Sequence, residues 1–292
     1  MLAVPIVRMN ESPGLLPAAT RLGRAALVVA DLTATVEFYR DVVGLAVLNR
    51  ESATTTLGAG GTPLLEVRHD PDASPRPDDA AGLFHTAFEV TSREALGDAL
   101  ERIRDRWELT GASDHGVSEA LYLRDPEGNG VEIYRDRPRA EWPRDEAGDP
   151  RIGTWPLDLE AVAAAAGGDS SDAVPSGTTV GHVHLEVASL EAARSFYVET
   201  LGFDVKTSVP QAVFLAAGDY HHHLGVNTWN GRSSPVAEGH RGLEWFELVV
   251  PSNDALESIR TRLEGEGVSG TDLEDGLEIT DSDGIRIRLR AD

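Results

Sequence analysis

His85, Glu132 and His182 are the residues of this chain whose types could do chemistry together. Two imidazoles and one carboxylate on one face of a divalent iron ion leave adjacent positions open, so that a chelating molecule and oxygen could bind side by side. The chain of 292 residues has no cysteine. That removes disulfides, thiolate zinc sites and cysteine nucleophiles together, and any metal must be held by histidine and carboxylate. A single strand histidine is more often a hydrogen-bonded structural residue, and a lone glutamate more often a solvated one. What singles these three out is a comparison internal to the chain.

The run Gly23-Arg24-Ala25-Ala26-Leu27-Val28-Val29, continuing to Leu32, Phe38-Tyr39 and Gly44, recurs without gaps as Gly181-His182-Val183-His184-Leu185-Glu186-Val187, continuing to Leu190, Phe196-Tyr197 and Gly202. A second element, Gly82-Leu83-Phe84-His85 leading to Ser92, Ala95 and Leu96, recurs as Gly242-Leu243-Glu244-Trp245 leading to Ser252, Ala255 and Leu256. Fixed-period self-similarity of this kind marks repeated supersecondary units. Where His182 stands the other copy has Arg24, where His85 stands it has Trp245, and the counterpart of Glu132 is Arg288. The two inner modules thus hold two histidines and a carboxylate, and the two outer modules hold none at those places.

Each module must position such residues with a strand, a helix and further strands. An alternating stretch such as His182 to Val187 runs into an amphipathic stretch, Leu190 to Leu201, in which Ala193, Phe196, Tyr197 and Leu201 recur at helical spacing. Gly44 and Gly202 follow the helix ends as left-handed caps should. Short strands follow, separated by turn signals such as Asp125-Pro126-Glu127-Gly128-Asn129 and Asp281-Ser282-Asp283-Gly284. The expectation is an α+β fold of four βαβββ modules paired into two cupped-sheet domains. The first domain is placed at 20–137, with modules at about 22–70 and 82–136, and the second at 179–292, with modules at about 180–230 and 242–290. Between them 138–178 reads as a linker with a short helical run, Leu157 to Ala166.

The sequences Gly-His-Val-His-Leu with Ser-Phe-Tyr, Asp-Pro-Glu-Gly-Asn-Gly-Val-Glu, and Asp-Tyr-His-His-His-Leu-Gly-Val-Asn resemble the vicinal oxygen chelate superfamily. Within it, the chain is most similar to two-domain catechol 2,3-dioxygenases of the type I extradiol class. The resemblance covers nearly the whole chain. It implies a cup holding one iron(II), or alternatively manganese(II), with His182 as one ligand and His85 with Glu132 as the other two. It also implies ring opening of a catechol-type substrate by O2 to a 2-hydroxymuconic semialdehyde-type product. His222 matches the family's acid/base histidine, and strand alternation would put it on one face with Leu224 and Val226. A histidine run can instead be a polar edge or a fortuitous metal-binding tract. Tyr122, ten residues before Glu132, matches a residue that hydrogen-bonds the metal-proximal substrate oxygen. His115 matches a substrate- or oxygen-binding position only if a short insertion is allowed. One departure stands out: many members take all ligands from one half of the chain, whereas here both halves contribute. Modules two and three must then share a cup, within one chain or between subunits. The linker, about 40 residues, is long enough for the first.

Bulk properties narrow the partners. The net charge of −23 combines 49 acidic residues with 26 basic ones, of which Lys206 is the single lysine. Clustered Lys/Arg for phosphate binding is lacking, so no nucleic-acid partner is expected. The spread of acids suits solubility in concentrated salt, and a halophilic source is the corresponding expectation. No window approaches the roughly 18 apolar residues needed to span a bilayer, and no signal core opens the chain, so no membrane and a cytoplasmic location are expected. Homo-oligomer formation is left open. Two rivals share the fold: a metal-dependent glyoxalase-like lyase or isomerase, which usually surrounds its metal with four protein ligands, and a non-catalytic small-molecule-binding protein, which needs no triad.

Overall fold

The computed structural model describes residues 15–146, 148, 150–167, 172–236 and 238–292. Module one contains β1 (Arg21–Val29), helix α1 (Leu32–Phe38), β2 (Ala46–Arg50), β3 (Thr54–Ala59) and β4 (Thr62–His69). Module two contains β5 (Gly82–Glu89), α2 (Arg93–Arg106), β6 (Gly111–Asp114), β7 (Ser118–Arg124) and β8 (Gly130–Asp136). The linker helix α3 is shorter than its apolar run suggests, spanning Leu159–Ala163. Module three contains β9 (Thr179–Glu186), α4 (Leu190–Arg194), β10 (Asp204–Val209), β11 (Ala212–Ala216) and β12 (Leu224–Asn227). Module four contains β13 (Gly242–Val250), α5 (Asn253–Gly265), β14 (Thr271–Leu273), β15 (Gly276–Thr280) and β16 (Arg286–Ala291).

The sheets do not follow the halves. One eight-stranded sheet has the order β14-β15-β16-β13-β1-β4-β3-β2 and the other β10-β11-β12-β9-β5-β8-β7-β6. Modules one and four therefore share the first sheet, and modules two and three share the second within a single chain. In the second sheet β5 lies antiparallel to β9 and parallel to β8, with Ala87 facing both His182 and Glu132 across the ladders. Side chains still tie each half to itself. The helices of modules one and three end in π turns, Tyr39–Val43 and Ser195–Thr200, and not in the regular helix that the 3.6-residue spacing suggests. In these turns Tyr39 donates to Asp125 Oδ2 at 3.2 Å and Tyr197 to Asp281 Oδ2 at 2.8 Å. Each aspartate opens the turn before the last strand of the next module, so a buried hydroxyl and a turn carboxylate satisfy one another. Gly44 and Gly202 close these helices at φ 94° and 96°, where a side chain would be strained.

The apolar core runs continuously between the helices and both sheets. It includes Leu27, Leu65, Phe88, Leu100, Leu185 and Phe246, all fully buried. Burying each such side chain is worth roughly 1.5–3 kcal/mol. The helix N-termini are capped in register with the repeat: Ser92 and Ser252 each accept from the amide three residues on, a contact worth about 1 kcal/mol.

Candidate metal centre and active site

Strand pairing at the middle of the second sheet puts three donors on its concave face. His85 Nε2 lies 3.0 Å from Glu132 Oε2, His182 Nε2 lies 3.1 Å from the same oxygen, and the two Nε2 atoms are 3.3 Å apart. All three residues are buried. They are the one group of three or more metal-competent side chains this close together among the described residues. Metal–ligand bonds of roughly 2.1 Å at right angles place neighbouring donors about 3.0 Å apart, which is the spacing seen. The protons available cannot satisfy the triangle. With both imidazoles protonated at Nδ1, three lone pairs face one another in a buried space. With both protonated at Nε2, the His85–His182 edge sets hydrogen against hydrogen. A cation relieves both conflicts, so the donor set suits a divalent metal.

Close backbone approach assists the placement. A side chain at Gly130 would overlap the Phe84 carbonyl, so glycine lets β8 run tight against β5 beside His85. Burial lowers the pKa of His182, only partly offset by Glu132. Burial alone would raise the Glu132 carboxyl, but the adjacent His182 and then His85 outweigh it and hold it well below the ordinary range. Neutral imidazole and ionised carboxylate are the forms a metal needs. His182 is gripped by rings: Tyr134 at 4.9 Å and His222 at 4.2 Å between centroids. Its Nδ1 makes no hydrogen bond.

A cavity of about 490 Å³ opens over the triad. His115, Tyr122 and His222 all line it. His222 does not enter as strand alternation suggests. β12 begins only at Leu224, and Leu224 and Val226 point into the apolar core, while His222 reaches the cavity from the bend before the strand. Its ring is oriented by a chain of contacts, His222 Nδ1 to His221 Nδ1 at 2.7 Å and His221 Nε2 to Asp136 Oδ1 at 2.9 Å. When the His221 ring is neutral and gives its Nε2 hydrogen to the carboxylate, His221 Nδ1 accepts from His222 Nδ1 and His222 Nε2 is left as a bare acceptor. Burial, then the neighbouring His182 and His221, push the His222 pKa well down. On the other wall His115 bridges the Tyr122 hydroxyl and the linker carbonyl of Gly153, both at 2.6 Å. Burial and then Glu132 raise the Tyr122 pKa well up, so its hydroxyl keeps its proton.

Several lining residues were missed from sequence. His184 lies two positions after His182 on the same face of β9, its ring 5.0 Å from that of His85, and its counterpart is Ala26. The comparison that exposes His182 would also have exposed it. Gly225, opposite it in β12, leaves room for its ring. Phe84, Phe214 and Trp229 form an aromatic wall, and Ile152, Gly153 and Thr154 of the linker close the opposite side. No local pattern marks those linker residues, because they meet the site only through tertiary folding.

The family model described as "Glyoxalase/Bleomycin resistance protein/Dioxygenase superfamily" matches residues 21–133 and 179–289. The chain is 37% identical over 267 residues to the catechol-2,3-dioxygenase of Bacillus subtilis (strain 168), covering 90% of this chain and 94% of that protein. A crystal structure from Bacillus subtilis superposes with a TM-score of 0.65 at 12% identity, covering 97% of this chain and 86% of that one. Maize glyoxalase I superposes with a TM-score of 0.58 at 15% identity, covering 94% and 92% respectively. At those identities the structural matches speak for the fold, while the two matched segments and the full-length relative place the sequence. The chain belongs to the glyoxalase/bleomycin resistance protein/dioxygenase superfamily.

Proposed function

We propose that this protein is an iron(II)-dependent extradiol dioxygenase that opens a catechol or substituted catechol with O2, giving a 2-hydroxymuconic semialdehyde-type product. The observation that carries the reading is the buried triangle of His85, Glu132 and His182 at the floor of a cavity roomy enough for a substituted aromatic ring, in a chain 37% identical to a catechol-2,3-dioxygenase. These three residues would hold the ion. Iron(II) would supply adjacent coordination positions for a chelating catechol monoanion and for oxygen, and a path for electrons between them.

The protein's own groups do the rest. Phe84, Phe214 and Trp229 form the wall against which the ring packs and is oriented. His222 Nε2, bare and facing the cavity, takes a proton from a substrate hydroxyl and returns it as the ring opens. The His221–Asp136 pair holds that imidazole in the accepting tautomer. Tyr122 hydrogen-bonds the substrate oxygen beside the triad, and His115 fixes Tyr122. Among the described residues the cavity lining contains no arginine or lysine, which favours uncharged ring substituents over carboxylates. A lyase of the four-ligand kind is less well supported, since the donor group among the described residues has three members.

The test is anaerobic loading with iron(II), then catechol and oxygen. One O2 consumed per ring with a yellow product is expected, and zinc should not substitute for iron. Turnover that continues unchanged without oxygen would move the assignment to the lyase class.

A further inference from the structure

Resting on the proposed function, we infer that linker residues Arg151–Trp155 form a strap whose Gly153 carbonyl positions the substrate-binding hydroxyl of Tyr122 through His115. The strap is fastened to the edge of the second sheet beyond β6. Trp155 and Asp114 exchange two backbone hydrogen bonds of 2.9 Å each, Gly153 donates to the His115 carbonyl at 3.1 Å, and Arg151 donates to the Pro143 carbonyl at 2.7 Å. It thus adds a short paired segment to an edge strand, and its middle residues, Ile152, Gly153 and Thr154, face the cavity.

The polarity of the contacts gives the strap its role. A carbonyl oxygen only accepts, so the 2.6 Å contact from Gly153 O requires the proton of His115 on Nδ1. In the neutral ring Nε2 is then bare, and at 2.6 Å from the Tyr122 oxygen it must accept the tyrosine proton. Tyr122 cannot donate twice. The phenol is thereby held at one angle over the cavity, and its oxygen meets the one hydroxyl that a catechol keeps when it binds as the monoanion. Without the carbonyl, His115 would be free to protonate Nε2 and reverse both contacts. Glycine is needed at 153 because a Cβ there would overlap the Trp155 ring, which also packs over Gly116. Gly153→Ala therefore pushes ring and strap apart while leaving the metal donors untouched.

Two measurements on the full chain test this. In the zinc(II)-loaded, diamagnetic protein, nitrogen-15 NMR of the histidine rings should show His115 protonated at Nδ1 and shielded from exchange. Protonation at Nε2 would overturn the inference. In the iron(II)-loaded protein under anaerobic conditions, the Kd for 4-nitrocatechol should rise roughly tenfold in Gly153→Ala and in Tyr122→Phe, the loss of about one hydrogen bond. Metal content should be unchanged in both. The double variant should bind no more weakly than Tyr122→Phe alone, because the strap acts through that hydroxyl. Multiplying effects, or parental affinity in Gly153→Ala, would overturn it. Parental protein that does not bind 4-nitrocatechol would count against the ring-cleavage reading, while the histidine tautomer would still report on the strap.

Discussion

The two sheets have one topology and opposite contents. At the centre of the second, His85, Glu132 and His182 leave lone pairs with nothing to share them. At the centre of the first, the equivalent places hold Trp245, Arg288 and Arg24. The ladder register supports the equivalence: Ala87 faces Glu132 in one sheet as Glu247 faces Arg288 in the other. There two guanidiniums lie over the Trp245 ring, with Arg288 Cζ at 4.0 Å and Arg24 Cζ at 5.5 Å from its centre. Each cation is paired, Arg24 with Glu247 at 3.0 Å and Arg288 with Glu278 at 2.8 Å. One cup is an unsatisfied donor set that invites a cation, and the other is a self-satisfied stack of charges and an aromatic face. The fold supplies the positions, and the side-chain inventory decides whether they bind metal or hold the sheet together.

That contrast can be broken most forcefully at the triad. Glu132→Ala removes the one anionic donor and should abolish turnover and lower iron affinity by at least about a hundredfold, read by metal analysis after desalting. His222→Ala should keep its iron yet lose about 10²- to 10⁴-fold in kcat, the usual worth of a positioned acid/base group. A loss of iron in that variant would show that His222 is part of the binding set. In the other cup Trp245→Ala should cost about 3–5 kcal/mol of stability in denaturant unfolding, as for a fully buried aromatic, with iron content unchanged. Iron loss there would contradict the division of labour between the sheets.

A smaller effect concerns pH. His223 is buried, its Nδ1 accepts from the Ala217 amide at 3.2 Å, and burial brings its pKa down to about 3. The unfolded chain takes up a proton near pH 6.5 that the folded chain refuses until about 3. Stability from this group is therefore complete above that window and declines as the pH falls through it, by roughly 1.4 kcal/mol per unit. His223→Gln should flatten the acid limb of a melting-temperature profile, and an unchanged slope would mean that other groups govern it.

Much of this was legible because duplication makes the chain its own control. Arg24, Trp245 and Arg288 are chemically so unlike His182, His85 and Glu132 that the altered positions show without any relative for comparison. Glycine caps and turn aspartates mark module boundaries for local steric reasons. What was not legible depends on distant parts of the chain. Whether modules two and three share their sheet within one chain, leaving module one to pair with four, depends on long-range strand pairing that no local pattern encodes. The π turns at Tyr39 and Tyr197 present hydroxyls to aspartates more than eighty residues away, a contact that helical spacing alone cannot show. His222 defeats alternation because the strand it was assigned to starts two residues later.

The most direct test of the central claim is anomalous diffraction at the iron edge from crystals of the anaerobically loaded protein. One peak per chain is expected, within bonding distance of His85 Nε2, His182 Nε2 and Glu132 Oε2. A peak in the cup of Arg24 and Trp245, or none between the two histidines and the glutamate, would contradict it.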